Sequence, residues 1–172
     1  GVAEQPADAT RSEEWACGTG HWEHRGRDST LAVDQIFNGA GDNAGGVAQM
    51  IEMARALLLL PKPKRSVLFI ATTGEEAGLL GTQYYVAHPL YPIERTLANF
   101  NFDWCFPWPK TLDYFETGFG STTLDTLLVT FAKEQARTVT RDPWPQQGFY
   151  FRSDHFPFAQ AGVPSLFGGM GL

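Results

Sequence analysis

Five side chains in this sequence are of the types that bind or work beside a divalent metal, and they fall at the mouths of four different segments. His21 follows "EEWACGTG", Asp42 lies in "FNGAGDNAGG", Glu75 and Glu76 are adjacent in "ATTGEEAGLLG", and Asp103 stands near the end of "NFNFDW". Imidazole nitrogen together with carboxylate oxygen suits zinc, with manganese or cobalt as the neighbouring choices. A carboxylate shared between two such ions holds them about 3.5–4 Å apart, the separation used in two-metal hydrolysis. Each residue taken alone has a plainer explanation. A Glu-Glu pair ahead of a helix answers its unpaired N–H groups and the positive end of its dipole. Asp42 would cap the helix beginning near Asn43, His21 would be a hydrogen-bonded, partly buried histidine, and Asp103 would close the turn before "CFPWP". Those explanations must hold independently at every segment end, whereas one metal site accounts for all of them.

The segments that carry these residues alternate between helical and strand patterns. From Asn43 to Leu60, the residues Val47, Met50, Ile51, Ala54, Leu57 and Leu58 recur at three- and four-residue steps, which predicts a helix with one buried face, stopped by Pro61. "RSVLFIATT" (Arg65 to Thr73) is a continuous apolar run rich in β-branched and aromatic residues, the pattern of a strand covered on both faces. "LLGTQYYVAHP" resumes a helical pattern as far as Pro89, and "RTLANFNFDW" (Arg95 to Trp104) returns to a strand. "TLDYFET" reads as another strand, "STTLDTLLVTFAKEQAR" (Ser121 to Arg137) as an amphipathic helix, and "GVPSLFGG" as a last short strand. The alternation predicts an α/β fold, a three-layer α/β/α sandwich with a mostly parallel central sheet, in a single domain over residues 1–172. In open sheets of that kind ligands collect where strands end and loops begin, which is where the five residues lie.

With 43% hydrophobic and 13% aromatic residues, the 172-residue chain can bury a sizeable core, and low-complexity disorder is excluded. A formal net charge of −6 argues against nucleic acid or an anionic membrane as partner. The longest basic cluster, Lys62, Lys64 and Arg65 in "PKPKR", reads as a solvated turn. Cys17 and Cys105 are too few for a disulfide framework and lack the spacing of a thiolate metal site. The most apolar stretch, "ARALLLLP", is far shorter than the ~20 residues a membrane span requires. The sequence starts at Gly1 with no initiator Met or signal peptide, which reads as a processed form or an excerpt of a longer protein.

From "GHWEHRG" through "DQIFNGAGDNAGG", "FIATTGEEAGLLG" and "ANFNFD" to "FYFRSDHFPFAQAGVPSLF", the sequence resembles the catalytic domain of the co-catalytic dizinc aminopeptidases. That group includes bacterial leucyl aminopeptidase, aminopeptidase Y and glutamate carboxypeptidase. The resemblance covers nearly everything from His21 onward. It implies that His21 ligates one zinc, that Asp42 in "DNAGG" bridges both, that Glu76 ligates the other, and that Asp103 shares the site of His21. Glu75 matches the general base, taking the proton from a water whose pKa zinc lowers toward 7. The implied activity is that of a metal-dependent exopeptidase, an aminopeptidase acting on peptides with a free N-terminus. Secretion or a periplasmic location is implied by the resemblance alone.

The sequence departs from the family pattern in two places. An Asp usually stands two residues after the first histidine and orients its imidazole; here Glu23 in "HWEH" is expected to do so with a longer arm. The family's last ligand, a histidine in a "YH…D" segment, would fall after Leu172, and no residue here matches it. The second metal is then left with Asp42 and Glu76, so one tightly held zinc, or none, is expected in place of the family's two. The domain reads as incomplete at its C-terminus and open at its N-terminus, and an uncovered apolar face would favour self-association. His155 in "RSDHFPF" is a candidate replacement ligand, although by resemblance its segment lines the substrate cleft. Ser153, Asp154 and His155 are consecutive, so their side chains diverge and form no hydrolase triad. His24 and His88 read as surface or loop histidines. Two alternatives stay open: a non-catalytic, receptor-like or scaffolding relative, and a single-zinc glutaminyl cyclase on the same fold.

Overall fold

The computed structural model describes residue 11 and residues 13–104 and 109–171. Strand β1 (Trp15–His21) is followed by the two-residue strands β2 (Gly26–Arg27) and β3 (Ile36–Phe37), which pair with each other in a small antiparallel ribbon. The apolar run expected to be a buried strand is β4 (Ser66–Thr72), which pairs in parallel with β1 along its whole length, Trp15 opposite Ser66 and His21 opposite Thr72. Strand β5 (Thr96–Asn101) flanks β1 on the other side, and β8 (Ser165–Gly169) lies beyond it, both parallel to β1. Strands β6 (Asp113–Glu116) and β7 (Thr138–Arg141) complete the order β4-β1-β5-β8-β6-β7, with β6 antiparallel to β8 and β7 parallel to β6. The sheet is therefore mostly parallel and mixed at one side.

Helix α1 (Gly46–Leu59) leads from β1 to β4, whereas α2 (Leu80–Ala87) leads back past β1 to β5. Right-handed crossovers put the two on opposite faces. Helix α4 (His155–Gln160) packs on α2, β5 and β8 and so shares the face of α2. Helix α3 (Leu124–Glu134) joins β6 to β7, strands that point the other way, and the same rule places it on the face of α1. Beside α1 a hollow of about 560 Å³ remains over the sheet, walled by Met53, Phe100, Trp104, Tyr114 and Leu166. Alternation along β1 sorts its side chains by face. Trp15 and Cys17 pack with Leu68, Tyr85 and Tyr91, and burial pushes the free Cys17 thiol up to about 12. Cys105 lies outside the described residues.

The α/β architecture and the order of its main elements are as the patterns predict. The helix expected from Asn43 starts regular turns only at Gly46, after a wound segment (Ala40–Gly45) with a cis peptide between Asp42 and Asn43. Strand β7 and helix α4 are additions. The first is a short, largely exposed edge strand, "TVTR", and the second is hidden in an aromatic-rich stretch interrupted by Pro157. Among the described residues no helix is long and apolar enough to cross a membrane.

Candidate metal centre

Because β1, β4 and β5 run in parallel, the loops after their carboxyl ends lie along one edge of the sheet. His21, the last residue of β1, is fully buried, with Nε2 2.9 Å from Asp103 Oδ1 and 3.1 Å from Asp42 Oδ1. Its Nδ1 is 2.6 Å from the main-chain carbonyl of Glu23. A carbonyl only accepts, so Nδ1 carries the hydrogen and Nε2 is the atom turned to the carboxylates. Burial opposes charge on this imidazole, but Asp103 and Asp42 outweigh it and lift His21 to about 11. Asp42 is in turn held below the usual carboxylate range, chiefly by its hydrogen bond with His21. A proton trapped between an imidazole and two carboxylates marks a place that favours a cation. The three donor atoms lie within 4.8 Å of one another, so a zinc ion fits with three protein ligands and an open fourth position.

Asp42 is reached through the wound segment before α1, and its side chain faces the cleft rather than the helix. The cap falls to Asn43 instead, whose Oδ1 accepts from Gly46 N at 3.0 Å while its Nδ2 donates to the Phe102 carbonyl at 2.8 Å. One amide thus ties the start of α1 to the residue before Asp103. The approach is close enough that a Cβ on Gly46 would sit 2.0 Å from the Phe102 oxygen. Asp103 itself is braced from behind. Ser153 Oγ donates to Asp103 Oδ2, Asn101 Nδ2 donates to Ser153 Oγ at 2.6 Å, and Thr19 Oγ1 donates to Asn101 Oδ1 at 3.0 Å.

Glu75 and Glu76 occupy the loop between β4 and α2, which begins at Gly74 with φ of 71°. Burial raises Glu75 to about 8, and the nearby negative charge of Asp103 adds to it. Glu76 turns another way: Oε1 is 2.5 Å from His24 Nδ1 and Oε2 3.3 Å from Arg25 Nε. The loop is clamped by the fully buried Asp154, which accepts from Thr72 at the end of β4 and from Thr82 in α2. Burial raises the pKa of Asp154, and the two hydroxyls oppose that rise.

Two expectations, those for Glu23 and His24, need correction. The Glu23 carboxylate does not touch the imidazole; the main-chain carbonyl of Glu23 orients His21, and the carboxylate accepts from Gly74 N at the start of the glutamate loop. The extra methylene relative to Asp carries it past the ring. His155 is no replacement ligand. It is fully buried between Tyr150 and Phe167, ring centroids 5.1 Å and 4.8 Å away, and desolvation lowers it to about 3. His24 is not a bystander: with Asp42 and Glu76 it forms a second group of three metal-type donors within 4.8 Å. His88 is exposed and stacked on Tyr84, as expected of a surface histidine. Ser153 and Asp154 serve different partners, and no hydroxyl-to-imidazole relay links them to His155. The supporting roles of Ser153, Asp154, Thr72 and Thr82 had only one sequence signal, a polar "SD" inside an aromatic segment.

The sequence model of peptidase family M28 matches residues 2–168. Aminopeptidase YwaD of Bacillus subtilis (strain 168) is 35% identical over 136 residues, covering 74% of this chain and 28% of that protein. The structure of an aminopeptidase from Aneurinibacillus sp. strain AM-1 superposes with a TM-score of 0.72 at 22% identity, over 98% of this chain and 38% of that one. A glutaminyl cyclase of Porphyromonas gingivalis shares the fold at a TM-score of 0.64 and 19% identity, over 94% of this chain and 60% of that one. The chain spans little more than a quarter of the length of YwaD.

Proposed function

The chain belongs to peptidase family M28, and from that membership we propose that it is a zinc-dependent aminopeptidase that removes N-terminal residues from peptides. The observation that carries the proposal is the convergence of His21 Nε2, Asp42 and Asp103 on one point at the carboxyl edge of the sheet, with Glu75 in the adjoining loop. When bound there, zinc would polarise a peptide carbonyl and acidify a water. His21, Asp42 and Asp103 would hold the ion. The Nδ1–H bond to the Glu23 carbonyl keeps Nε2 free to bind, and Ser153 fixes the second oxygen of Asp103. Glu75 would accept the proton of the attacking water and pass it to the departing amine, which requires a carboxylate close to the metal but not on it. Its partial burial in a loop fixed by Glu23 and Asp154 supports that role.

Retention of Glu75 together with the metal-type donors speaks for an enzyme rather than a receptor-like relative. The assay is hydrolysis of leucine anilide and of dipeptides, run beside cyclisation of an N-terminal glutaminyl peptide, before and after metal removal. Hydrolysis lost with the metal and restored by zinc is expected; cyclisation without hydrolysis would transfer the protein to the cyclases, and hydrolysis that survives complete metal removal would overturn the proposal.

A further inference from the structure

Arg152 is exposed, and its guanidinium carbon lies over the Phe149 ring, 5.6 Å from the centroid. Among the described residues the guanidinium N–H groups have no acid, amide or carbonyl partner, whereas Arg25, beside the metal centre, is paired with Glu76. A ring face attracts the cation but offers no oxygens to its fork of N–H donors, which matches a carboxylate. We propose that Arg152 is a specificity-determining residue that binds a carboxylate of the peptide substrate, either the acidic side chain of the N-terminal residue or the free C-terminus of a dipeptide. The inference rests on the zinc-aminopeptidase reading of the His21 site and extends it to the substrate.

The local chain fixes where this arginine stands. Gly148, with φ of 66°, turns into the short 3₁₀ segment Phe149–Phe151. Side chains three residues apart eclipse in such a turn, which sets Arg152 over Phe149, and Arg152 N closes the turn by donating to the Phe149 carbonyl at 3.1 Å. Contacts on both sides of Arg152 lead to the metal centre. The Phe149 ring meets Trp104 edge-on, centroids 5.2 Å apart, and Trp104 directly follows Asp103. In the other direction Ser153 Oγ donates to Asp103 Oδ2. Arg152 is thereby held at the rim of the site and not among its metal-type donors. The acids gathered inside, Asp42, Glu75, Glu76 and Asp103, suit a metal and the ammonium group of a peptide. A substrate carboxylate brought to the same cleft needs a cation. Arg25 is already engaged by Glu76, which leaves the open fork of Arg152. An arginine that is merely solvated would account for the exposure, but it would change no substrate preference.

The test is kcat and KM of the zinc-loaded protein on substrate pairs that differ by one charge. Glutamyl anilide against glutaminyl anilide probes the side chain of the first residue, and leucyl-glycine against leucyl-glycine amide probes the free C-terminus. The wild type is compared with Arg152→Gln and Arg152→Lys, and melting temperature and zinc content show that each variant is folded and loaded. In one of the two pairs the wild type is expected to prefer the charged member, a preference that falls about tenfold in Arg152→Gln, through KM rather than kcat, and returns in part in Arg152→Lys. The pair that responds identifies the source of the carboxylate. A charge preference that is the same in the wild type and in Arg152→Gln for both pairs overturns the inference, while zinc-dependent hydrolysis of leucine anilide by the wild type leaves the aminopeptidase reading intact. Failure of the zinc-loaded wild type to hydrolyse any of these substrates overturns that reading, and the inference with it.

Discussion

Glu75 and Glu76 are adjacent, but burial governs the first, whereas the second is bound up with His24 and Arg25. Glu75→Gln keeps the shape and removes the base, so turnover should fall by about 10²–10⁴-fold with zinc content unchanged. Parallel loss of metal would mean that Glu75 is a structural group. Glu23→Gln asks a different question. The imidazole of His21 is oriented by a main-chain carbonyl, so zinc content should be retained, while the bond from Gly74 N is weakened and the Glu75 loop loosens. A drop in kcat at constant zinc content is the expected result, measured by anilide hydrolysis beside metal analysis; loss of zinc would show that the carboxylate supports the ligand after all. The five primary residues were legible because each is a chemically telling type at the end of a patterned segment. Ser153 and Asp154 were not, since their partners are 50 to 82 residues distant in sequence and only the fold brings them together. His24 was passed over because its value depends on where a loop returns, which no periodicity encodes.

At the level of elements, the start of α1 carries the greatest burden, because it sets both Asp42 and, through Phe102, Asp103. Asn43→Ala removes the cap on Gly46 and the bond to the Phe102 carbonyl, both made by one buried amide. A stability loss of about 1–3 kcal/mol is expected in urea unfolding. Zinc affinity should fall with it, since the two carboxylates lose their common tie; stability within about 0.5 kcal/mol of wild type would contradict this role. Helix α1 and strand β4 were readable because long apolar periodicity and a β-branched run leave little choice. The wound segment Ala40–Gly45 was not, because its six residues bend to serve a site rather than a repeat, and a Gly-rich turn looks the same whichever way it bends. Strand β7 and helix α4 escaped for the opposite reason: each is short, and one lies at the sheet edge while the other is crowded with aromatic residues whose spacing matches no period.

At the scale of the whole molecule, one buried carboxyl outside the candidate metal centre makes stability depend on pH. Glu116 of β6 is fully buried, and desolvation pushes it up to about 7 against the main-chain N–H groups of Gly118 and Phe167, which lower it. The nearby acids Asp125 and Asp142 raise it further. The folded state thus holds this proton more tightly than the unfolded chain, where the group titrates near 4.5. No penalty exists below that pH, and stability is lost as pH rises through about 7, by an amount on the order of 3 kcal/mol. Glu116→Gln should therefore melt at the same temperature as the wild type near pH 4.5 and roughly 5–10 °C higher at pH 8. A difference independent of pH would show that the side chain is not charged in the fold at pH 8. The central claim, that His21, Asp42 and Asp103 hold the zinc on which peptide hydrolysis depends, is tested most directly by titrating zinc into the metal-free protein while following leucine-anilide hydrolysis. The account predicts that activity is absent without metal, rises with zinc to a plateau, and stays absent in His21→Ala at the same zinc concentrations. Hydrolysis in the metal-free protein, or equal recovery in His21→Ala, would contradict it.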